Sequence, residues 1–269
     1  MDTGFSAARL AGCVTALLFA SAFAHAAECV NFGVIDAQSG NVANAIAELY
    51  TAEGCDSCPP ADKWFSSLGD RKGNVVPLAF HVDYWDGGGW KDRFAKPAFT
   101  RRQQESVVRL GSRTVVTPQL FMNGKNISFI DDDKRGSIHS RFGRRVVEIA
   151  SQPPGARLKL TAVPTANGME ATLSVTLADV TSGSARAWLA VTENKLVSRV
   201  TAGENRGVTL YHDHVVRDLV GPLDIITPTP QKIALDQEWK RQDLSLVAFV
   251  QDRLTGDVLQ ALSAGMCAN

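Results

Sequence analysis

The feature that most constrains this chain is a pair of cysteines, Cys55 and Cys58, between an apolar run and a helix-forming segment. Such a pair is typical of a redox-active dithiol, because a tight turn holds both side chains close enough to form or break a disulfide. The free N–H groups and the dipole of the following helix favour the thiolate of Cys55, the attacking species. A static, purely structural disulfide remains an alternative from this motif alone.

A zinc site is a weaker interpretation of the same two cysteines. Structural zinc needs further Cys or His ligands at suitable spacing, and the chain contains no second cysteine pair. We therefore predict no metal site.

The first 26 residues have the pattern of a secretory signal peptide. Arg9 precedes an apolar stretch at 10–23, and the small-x-small sequence Ala24-His25-Ala26 is typical of a cleavage site. We expect cleavage after Ala26 and a secreted or periplasmic protein without stable membrane insertion.

Two further cysteines lie near the ends of the processed chain, Cys29 and Cys267. Disulfides persist in exported proteins, and chain termini often lie close together on the surface. We therefore expect a structural disulfide between Cys29 and Cys267, with two free thiols as the alternative.

The balance of charge argues against nucleic acid as a partner, because 28 Lys and Arg residues face 28 Asp and Glu residues. A length of 269 residues is compatible with two domains. The sequence Gln152-Pro153-Pro154-Gly155 breaks the chain and is interpreted as the linker between them.

The first half of the chain alternates predicted strands and helices. The pattern predicts a strand at 43–50, a helix at 59–68, a strand at 75–82, a helix at 96–110, two short strands within 114–127 and a helix at 136–150. Pro118 follows Thr117 at the start of the third strand. This order resembles the thioredoxin fold, and the segment 116–124 is similar to the cis-proline segment of glutaredoxins. The resemblance implies that Pro118 is cis and lies beside the dithiol.

Several blocks together resemble the domain-of-unknown-function 1223 family of secreted thioredoxin-like proteins. The blocks are Glu48 to Asp62, Phe80-His81-Val82-Asp83-Tyr84-Trp85-Asp86, Gly89-Trp90-Lys91-Asp92, Thr117-Pro118-Gln119 and Gly203-Glu204-Asn205. The resemblance covers nearly all of the processed chain and implies the fold, but no established activity.

Two prolines directly after the second cysteine, Pro59 and Pro60, affect where the helix begins. Proline is tolerated in the first helical turn and not in the interior. We therefore expect the helix to start near Cys58, so that Cys55 receives less stabilisation from the helix dipole than a usual attacking thiol.

The loop at 83–92 is the candidate wall of a substrate groove. Trp85 and Trp90, with Thr117, are expected to bind a peptide or apolar substrate, or equally to cover the core. His81 and Asp83 alternate onto one face and could position or deprotonate a thiol, although a structural histidine is the alternative. His81 with both cysteines would also form a copper-type ligand set.

Beyond the linker the helical period disappears. Segments at 157–163, 169–177, 185–191 and 244–250 alternate apolar and polar residues, which predicts a β-sandwich. His212 and His214 lie two apart on a probable strand, and we interpret them as an exposed polar strand rather than a metal site.

These observations predict an α/β thioredoxin-like N-terminal domain with a glutaredoxin-type core, followed by an all-β sandwich-like C-terminal domain. The expected boundaries are 1–26 for the signal peptide, 27–151 for the first domain and 155–269 for the second.

The leading functional hypothesis is thiol-disulfide exchange with a protein or small-molecule thiol or disulfide. Cys55 attacks, Cys58 resolves the mixed disulfide and Pro118 shapes the groove. No dissociable cofactor is needed. The alternatives are a non-catalytic envelope-binding protein with a structural Cys55–Cys58 disulfide, and a copper-handling protein.

Overall fold

The computed structural model describes residues 1, 32–69, 74–127, 129, 137–179 and 183–267. Cys29 and the predicted signal peptide, apart from Met1, lie outside these residues. Strands account for 42% of the structure and helices for 19%, so the protein is mainly β. None of the helices in the described ranges is long and apolar enough to span a bilayer.

The first half of the chain alternates strands and helices. Its elements are β1 (Ile35–Gln38), β2 (Ala45–Thr51), α1 (Pro59–Ser66), β3 (Val75–His81), a 3₁₀ helix (Asp83–Gly88), α2 (Pro97–Arg109), β4 (Gln119–Met122), β5 (Lys125–Ile127) and α3 (Ile138–Ala150). All seven residues of β2 are buried, as expected for a strand covered on both faces.

The second half is built from strands. They are β6 (Ala156–Thr165), β7 (Gly168–Leu177), β8 (Ala185–Glu193), β9 (Leu196–Arg199), β10 (Thr209–His212), β11 (Val215–Leu223), β12 (Gln231–Ala234), β13 (Leu244–Asp252) and β14 (Val258–Gly265), with a 3₁₀ turn at Arg241–Asp243.

One eight-stranded sheet joins the two halves, and this finding corrects the predicted fold class. Its order is β14-β13-β8-β11-β3-β2-β4-β5. The junction is a parallel pairing of β11 with β3, where Ala79 N donates to His214 O at 2.8 Å. The prediction of an α/β thioredoxin-like domain followed by a separate all-β sandwich was therefore wrong. Apolar alternation predicts that a segment is a strand, but not which strand it pairs with. The numerical boundaries stay predictions.

A smaller sheet of order β1-β6-β7-β12 covers part of the large one. β1 comes from the first half and pairs with β6, with Ile35 opposite Ala162. Buried side chains of both sheets, including Leu160, Leu189 and Leu246, form one core. The two halves thus share a second sheet as well.

The helices bury the two faces of the first-half strands. Phe99 and Val107 of α2 pack with Tyr50 and Phe80. Phe65 of α1, with Phe142 and Ile149 of α3, packs against the opposite face, which includes Leu49. Because residues of a strand alternate between faces, β2 contributes to both cores.

One edge of the large sheet collects the predicted site. β2 and β3 are parallel, and their last residues, Thr51 and His81, lie side by side. β4 runs antiparallel to β2, with Gln119 opposite Tyr50. The turn after β2, the loop after β3 and the residue before β4, Pro118, therefore meet at this edge.

Candidate functional site

Cys55 and Cys58 form a disulfide with an S–S distance of 2.07 Å and a Cα–Cα distance of 5.4 Å. The residues lie between β2 and α1. Helix α1 begins at Pro59 with Cys58 as its N-cap, as expected from the two prolines. Both cysteines have an exposed fraction of 0%. A thiol in solution therefore has no direct access to either sulfur in this conformation.

A loop from the second half covers the turn that carries the disulfide. We call residues 200–208, between β9 and β10, the covering loop. Buried Asn205 donates from Nδ2 to the carbonyl oxygens of Glu53 at 2.9 Å and Cys55 at 2.8 Å. Glu204 accepts a longer hydrogen bond, 3.4 Å, from the backbone N–H of Asp56. The covering loop is therefore attached directly to the backbone around the first cysteine.

The two tryptophans of the candidate groove lie beside the same turn. Trp85 donates from Nε1 to Thr117 Oγ1 at 2.7 Å. It also packs against Gly54, where an added Cβ would lie 3.2 Å from the Trp85 Cβ. The Thr117–Pro118 peptide bond is cis. Trp85 thus connects the disulfide turn to the cis-proline segment.

Trp90 reaches a carboxylate that the sequence analysis did not single out. It donates from Nε1 to Glu53 Oε2 at 2.7 Å, and Glu53 is completely buried. Trp90 also borders the covering loop, because an added Cβ on Gly203 would lie 3.3 Å from its Cβ. Both tryptophans therefore form hydrogen bonds and close contacts with residues around the turn.

His81 is paired with Asp92, not with Asp83. Nδ1 of His81 lies 2.7 Å from Asp92 Oδ2, and both side chains are buried. Asp92 also accepts from the backbone N–H groups of Glu53 and Phe94, each at 2.9 Å. Asp83 instead accepts from Thr100 Oγ1 of α2. Of the two residues that were predicted to act on a thiol, only His81 is connected, through Asp92, to the turn before Cys55.

His212 enters the same group from the second half. Its Nε2 lies 3.3 Å from Glu53 Oε1, and its Nδ1 lies 3.9 Å from Asp62 Oδ2 of α1. The rings of His81 and His212 meet edge to face with centroids 4.9 Å apart. We call this set the buried ionisable cluster: Glu53, Asp62, His81, Asp92 and His212. Each member has an exposed fraction of 7% or less.

The expected exposure of His212 was wrong. β10 pairs with β9 alone, and its alternate residues Leu210 and His212 face inward while Thr209 and Tyr211 face outward. His214 lies elsewhere, against Gly69, with φ of +58°. The two histidines therefore do not share a site. Within the described ranges, no group of three metal-ligating side chains is arranged to hold a metal ion.

The electrostatics of the cluster couple its members. Burial alone would raise the pKa of Asp92, but the charge and hydrogen bond of His81, together with the backbone N–H groups of Glu53 and Phe94, outweigh it and lower that pKa to about 2. Burial opposes protonation of His81, yet Asp92 raises the pKa of His81 above its ordinary value. Burial raises the pKa of Asp62. For Glu53 burial raises the pKa, but the interactions with His212, Ser198 and Trp90 together outweigh it, so its pKa is lowered.

The sequence analysis did not single out Glu53, Asp62, Asp92 or Asn205 as site residues. It also placed His212 on an exposed strand. Glu53 lies two residues before Cys55, and Asp62 lies one helical turn after Cys58, so spacing could have indicated both. Asp92 and Asn205 belong to blocks that carried the family resemblance. His212 has no such local signal.

The structure describes only one of the two cysteines of the predicted terminal disulfide, Cys267. Phe32 forms an isolated antiparallel bridge with Cys267, so the chain shortly after Cys29 runs beside Cys267. Cys29 itself lies outside the described residues, and the pairing stays a prediction.

The family model described as "Protein of unknown function (DUF1223)" matches residues 46–251. The chain belongs to the DUF1223 family. The matched range includes both site cysteines, Asn205 and the whole buried ionisable cluster. Among curated proteins, nothing matches this DUF1223 chain.

Two solved structures resemble this DUF1223 protein in fold. Protein AGR_C_4864 from Agrobacterium tumefaciens is 24% identical with a TM-score of 0.57, over 86% of this chain and 97% of that chain. HBP35 of Porphyromonas gingivalis is 15% identical with a TM-score of 0.60, over 85% of this chain and 76% of that chain. At these identities the similarity establishes the fold alone.

Proposed function

We propose that this DUF1223 protein exchanges thiols and disulfides through Cys55 and Cys58. The observation that carries the proposal is the buried ionisable cluster, whose members Glu53 and Asp62 flank the two cysteines in sequence. Moving a charged group out of water costs several kcal/mol before its partners compensate. A disulfide that only stabilises a fold needs no such groups, whereas sites of proton-coupled chemistry commonly contain them.

The exchange follows the usual two steps of a dithiol. In the reduced protein the Cys55 thiolate attacks one sulfur of a substrate disulfide, and the other substrate sulfur leaves as a thiolate. Cys58 then loses its proton and attacks the Cys55 sulfur, which releases the second substrate thiolate and restores the Cys55–Cys58 disulfide. Two electrons pass to the substrate. In reverse, the same steps oxidise a substrate dithiol.

The surroundings of the disulfide favour a peptide-like or apolar substrate. Trp85 and Trp90 lie beside the turn, Trp85 connects it to the segment of Thr117 and Pro118, and the covering loop is attached to the same turn and contacts Trp90. Because both sulfurs are buried, exchange requires displacement of the covering loop. His81 acts in this proposal through Asp92, which accepts the backbone N–H of Glu53 and so positions the turn.

We also propose export of the protein. The small-x-small sequence that ends at Ala26 and the Cys55–Cys58 disulfide support a compartment in which disulfides persist.

A second candidate function is supported by the burial of both sulfurs. In that proposal Cys55 and Cys58 form a permanent brace, and the protein binds an envelope partner without catalysis. Asn205, which attaches the covering loop to the turn, is compatible with either function.

The reduction potential of the Cys55–Cys58 pair tests the proposal. Thiol trapping and mass spectrometry in graded glutathione and dithiothreitol buffers would follow this pair separately from other cysteines. Active couples lie between about −270 and −120 mV, whereas structural disulfides lie below about −300 mV. A value in the active range supports exchange, and a value well below it supports the permanent brace.

A trapping variant gives an independent measurement. Cys58→Ser retains the attacking thiol without the resolving one, so mixed disulfides should accumulate at Cys55. Cys55→Ser is the matched control and should trap far less. Equal trapping by the two variants would contradict the assigned roles.

A further inference from the structure

A groove of the large sheet is lined by residues that belong to neither the disulfide turn nor the buried ionisable cluster. It has a volume of about 610 Å³ and lies between α2 and the strands β8, β11 and β13. Ligand pockets for small molecules generally have volumes of about 300 to 1,000 Å³. The groove is therefore large enough for a compact organic ligand.

The rim of the groove is strongly cationic in an otherwise neutral protein. Arg101 and Arg109 extend from α2, and Arg253 follows β13. Within the part of the chain that the structure describes, neither Arg101 nor Arg253 forms an ion pair, and Glu105 is the one acidic residue lining the groove. Such a concentration of unpaired guanidinium groups attracts an anion.

A fourth arginine, Arg102, lies at the bottom of the groove with its side chain only 11% exposed. It donates from Nε and Nη2 to the two carboxylate oxygens of Glu48 at 3.1 and 2.6 Å. Nη2 also reaches Gln251 Oε1 at 3.3 Å. In the described residues Nη1 has no hydrogen-bond partner. Because Glu48 and Gln251 fix the orientation of the Arg102 guanidinium, its Nη1 is a preorganised donor for a ligand oxygen.

The remaining wall of the groove is apolar. Arg102 Cζ lies 5.6 Å from the ring centroid of Trp188, which lines the groove with Leu219 and Pro222. Leu254 stands at the rim with an exposed fraction of 77%. An apolar surface between cationic groups suits a ligand that is apolar at one end and anionic at the other.

We propose that this groove binds a small organic anion with an apolar body, such as an aryl or alkyl carboxylate, phosphate or sulfonate. The anionic group contacts Arg101, Arg253 and Nη1 of Arg102, and the apolar body lies against Trp188 and Leu219. Binding here does not involve Cys55 or Cys58, so the proposal stands independently of thiol-disulfide exchange.

The probe is 8-anilinonaphthalene-1-sulfonate, which combines an aromatic body with a sulfonate and fluoresces when it is removed from water. The oxidised full-length protein is titrated with it. The variant Arg101→Gln/Arg253→Gln should bind about tenfold more weakly, because two guanidinium contacts are lost. Arg157→Gln/Arg199→Gln is the matched control, since both residues are exposed and removed from the groove. It should bind like the wild type, and raising the salt concentration should weaken the wild type more than the groove variant.

A second measurement locates the probe on the unmodified protein and does not depend on how the variants fold. Arginines are labelled with phenylglyoxal with and without the probe, and peptides are analysed by mass spectrometry. Protection of Arg101 and Arg253, with Arg157 labelled equally in both samples, supports the proposal. Absence of saturable binding, equal loss in the two double variants, or unchanged labelling of Arg253 would overturn it.

Discussion

The side-chain amide of Asn205 donates to the backbone carbonyl of Cys55 at 2.8 Å, across 150 positions of sequence. The same nitrogen donates to the carbonyl of Glu53 at 2.9 Å. Because Asn205 is itself buried, these bonds attach the covering loop to the turn that contains the disulfide. The second half of the chain is therefore hydrogen-bonded to the turn of a disulfide that forms entirely within the first.

Replacement of Asn205 should loosen this cover. Asn205→Ala removes the side-chain donor to the buried carbonyl oxygens of Glu53 and Cys55, of which the latter keeps the N–H of Cys58, and should cost about 1 to 3 kcal/mol of unfolding free energy. The released loop should also expose the disulfide, so that dithiothreitol reduces Cys55–Cys58 faster than in the wild type. Urea denaturation and timed thiol trapping measure the two effects.

The neighbouring Arg206 provides the control, because it is exposed and lies in the same loop. Arg206→Ala should change neither quantity appreciably. If Asn205→Ala lost stability while its disulfide was reduced at the wild-type rate, the loop would not be what limits access.

Stability should depend on pH through the ion pair of His81 and Asp92. The pKa of Asp92 is lowered from 3.8 to about 2, so its contribution is complete above pH 3.8 and is lost as the pH falls toward 2. The shift corresponds to about 2 kcal/mol. The pKa of His81 is raised above 6.5, so the same interaction is complete below pH 6.5 and is lost as the pH rises through the folded-state pKa.

Urea unfolding from acid to alkaline pH would show both limits. The difference in stability between the wild type and Asp92→Asn should be greatest between the two pKa ranges and smaller at either end. Exposed Glu238 is the control, and Glu238→Gln should follow the wild-type profile. A stability difference that stayed constant with pH would show that Asp92 acts only through its shape.

The predicted elements and the paired strands illustrate what a single sequence can establish. Strand β2, helix α1 and strand β3 follow from apolar patterns and from the prolines after Cys58, all of which are local. The pairing of β11 with β3 depends on edges that meet across more than a hundred residues, and nothing in the pattern of Val215–Leu223 specifies that partner. The separate second domain was predicted for this reason.

Residues of the candidate site likewise divide into those that a local motif indicates and those whose placement depends on long-range packing. Cys55, Cys58 and Pro118 were predicted from short motifs, and the structure contains the Cys55–Cys58 disulfide and a cis Thr117–Pro118 bond. His212 was expected to be exposed. Its burial comes from the folding of β9 and β10 back over α1, which the local sequence pattern does not indicate. Strand alternation placed Asp83 on the same face as His81, whereas in the structure the loop beyond Asp83 brings Asp92 to the His81 ring.

A buried ion pair ties α2 to the centre of the large sheet. Arg102 contacts both carboxylate oxygens of Glu48, and Tyr50 donates to the same carboxylate at 2.7 Å. Arg102→Met removes the cation and leaves a buried carboxylate, so we expect a loss of about 3 to 5 kcal/mol of unfolding free energy.

A double-mutant cycle tests whether the loss of unfolding free energy in Arg102→Met comes from the unpaired, buried carboxylate of Glu48. Glu48→Gln/Arg102→Met removes both charges and should be more stable than Arg102→Met alone. Denaturation curves for the four proteins give the coupling energy. A double variant that is less stable than Arg102→Met would assign the loss to packing around the guanidinium instead.

Two glycines with opposite surroundings give a matched pair of substitutions. Gly124, in the turn between β4 and β5, has φ of +73°, and an added Cβ would lie 2.1 Å from the carbonyl oxygen of Gly256. This approach brings a turn of the first half against the β13–β14 turn of the second. Gly124→Ala should therefore cost about 2 to 3 kcal/mol, because the backbone must move.

Gly143, exposed within α3, has nothing within 4 Å of an added Cβ. Gly143→Ala should instead stabilise the protein by about 0.5 to 1 kcal/mol, since alanine restricts the unfolded chain and favours the helix. Thermal and urea denaturation measure the stabilities of the two variants. Equal stabilities would show that the turns of Gly124 and Gly256 are not in close contact in solution.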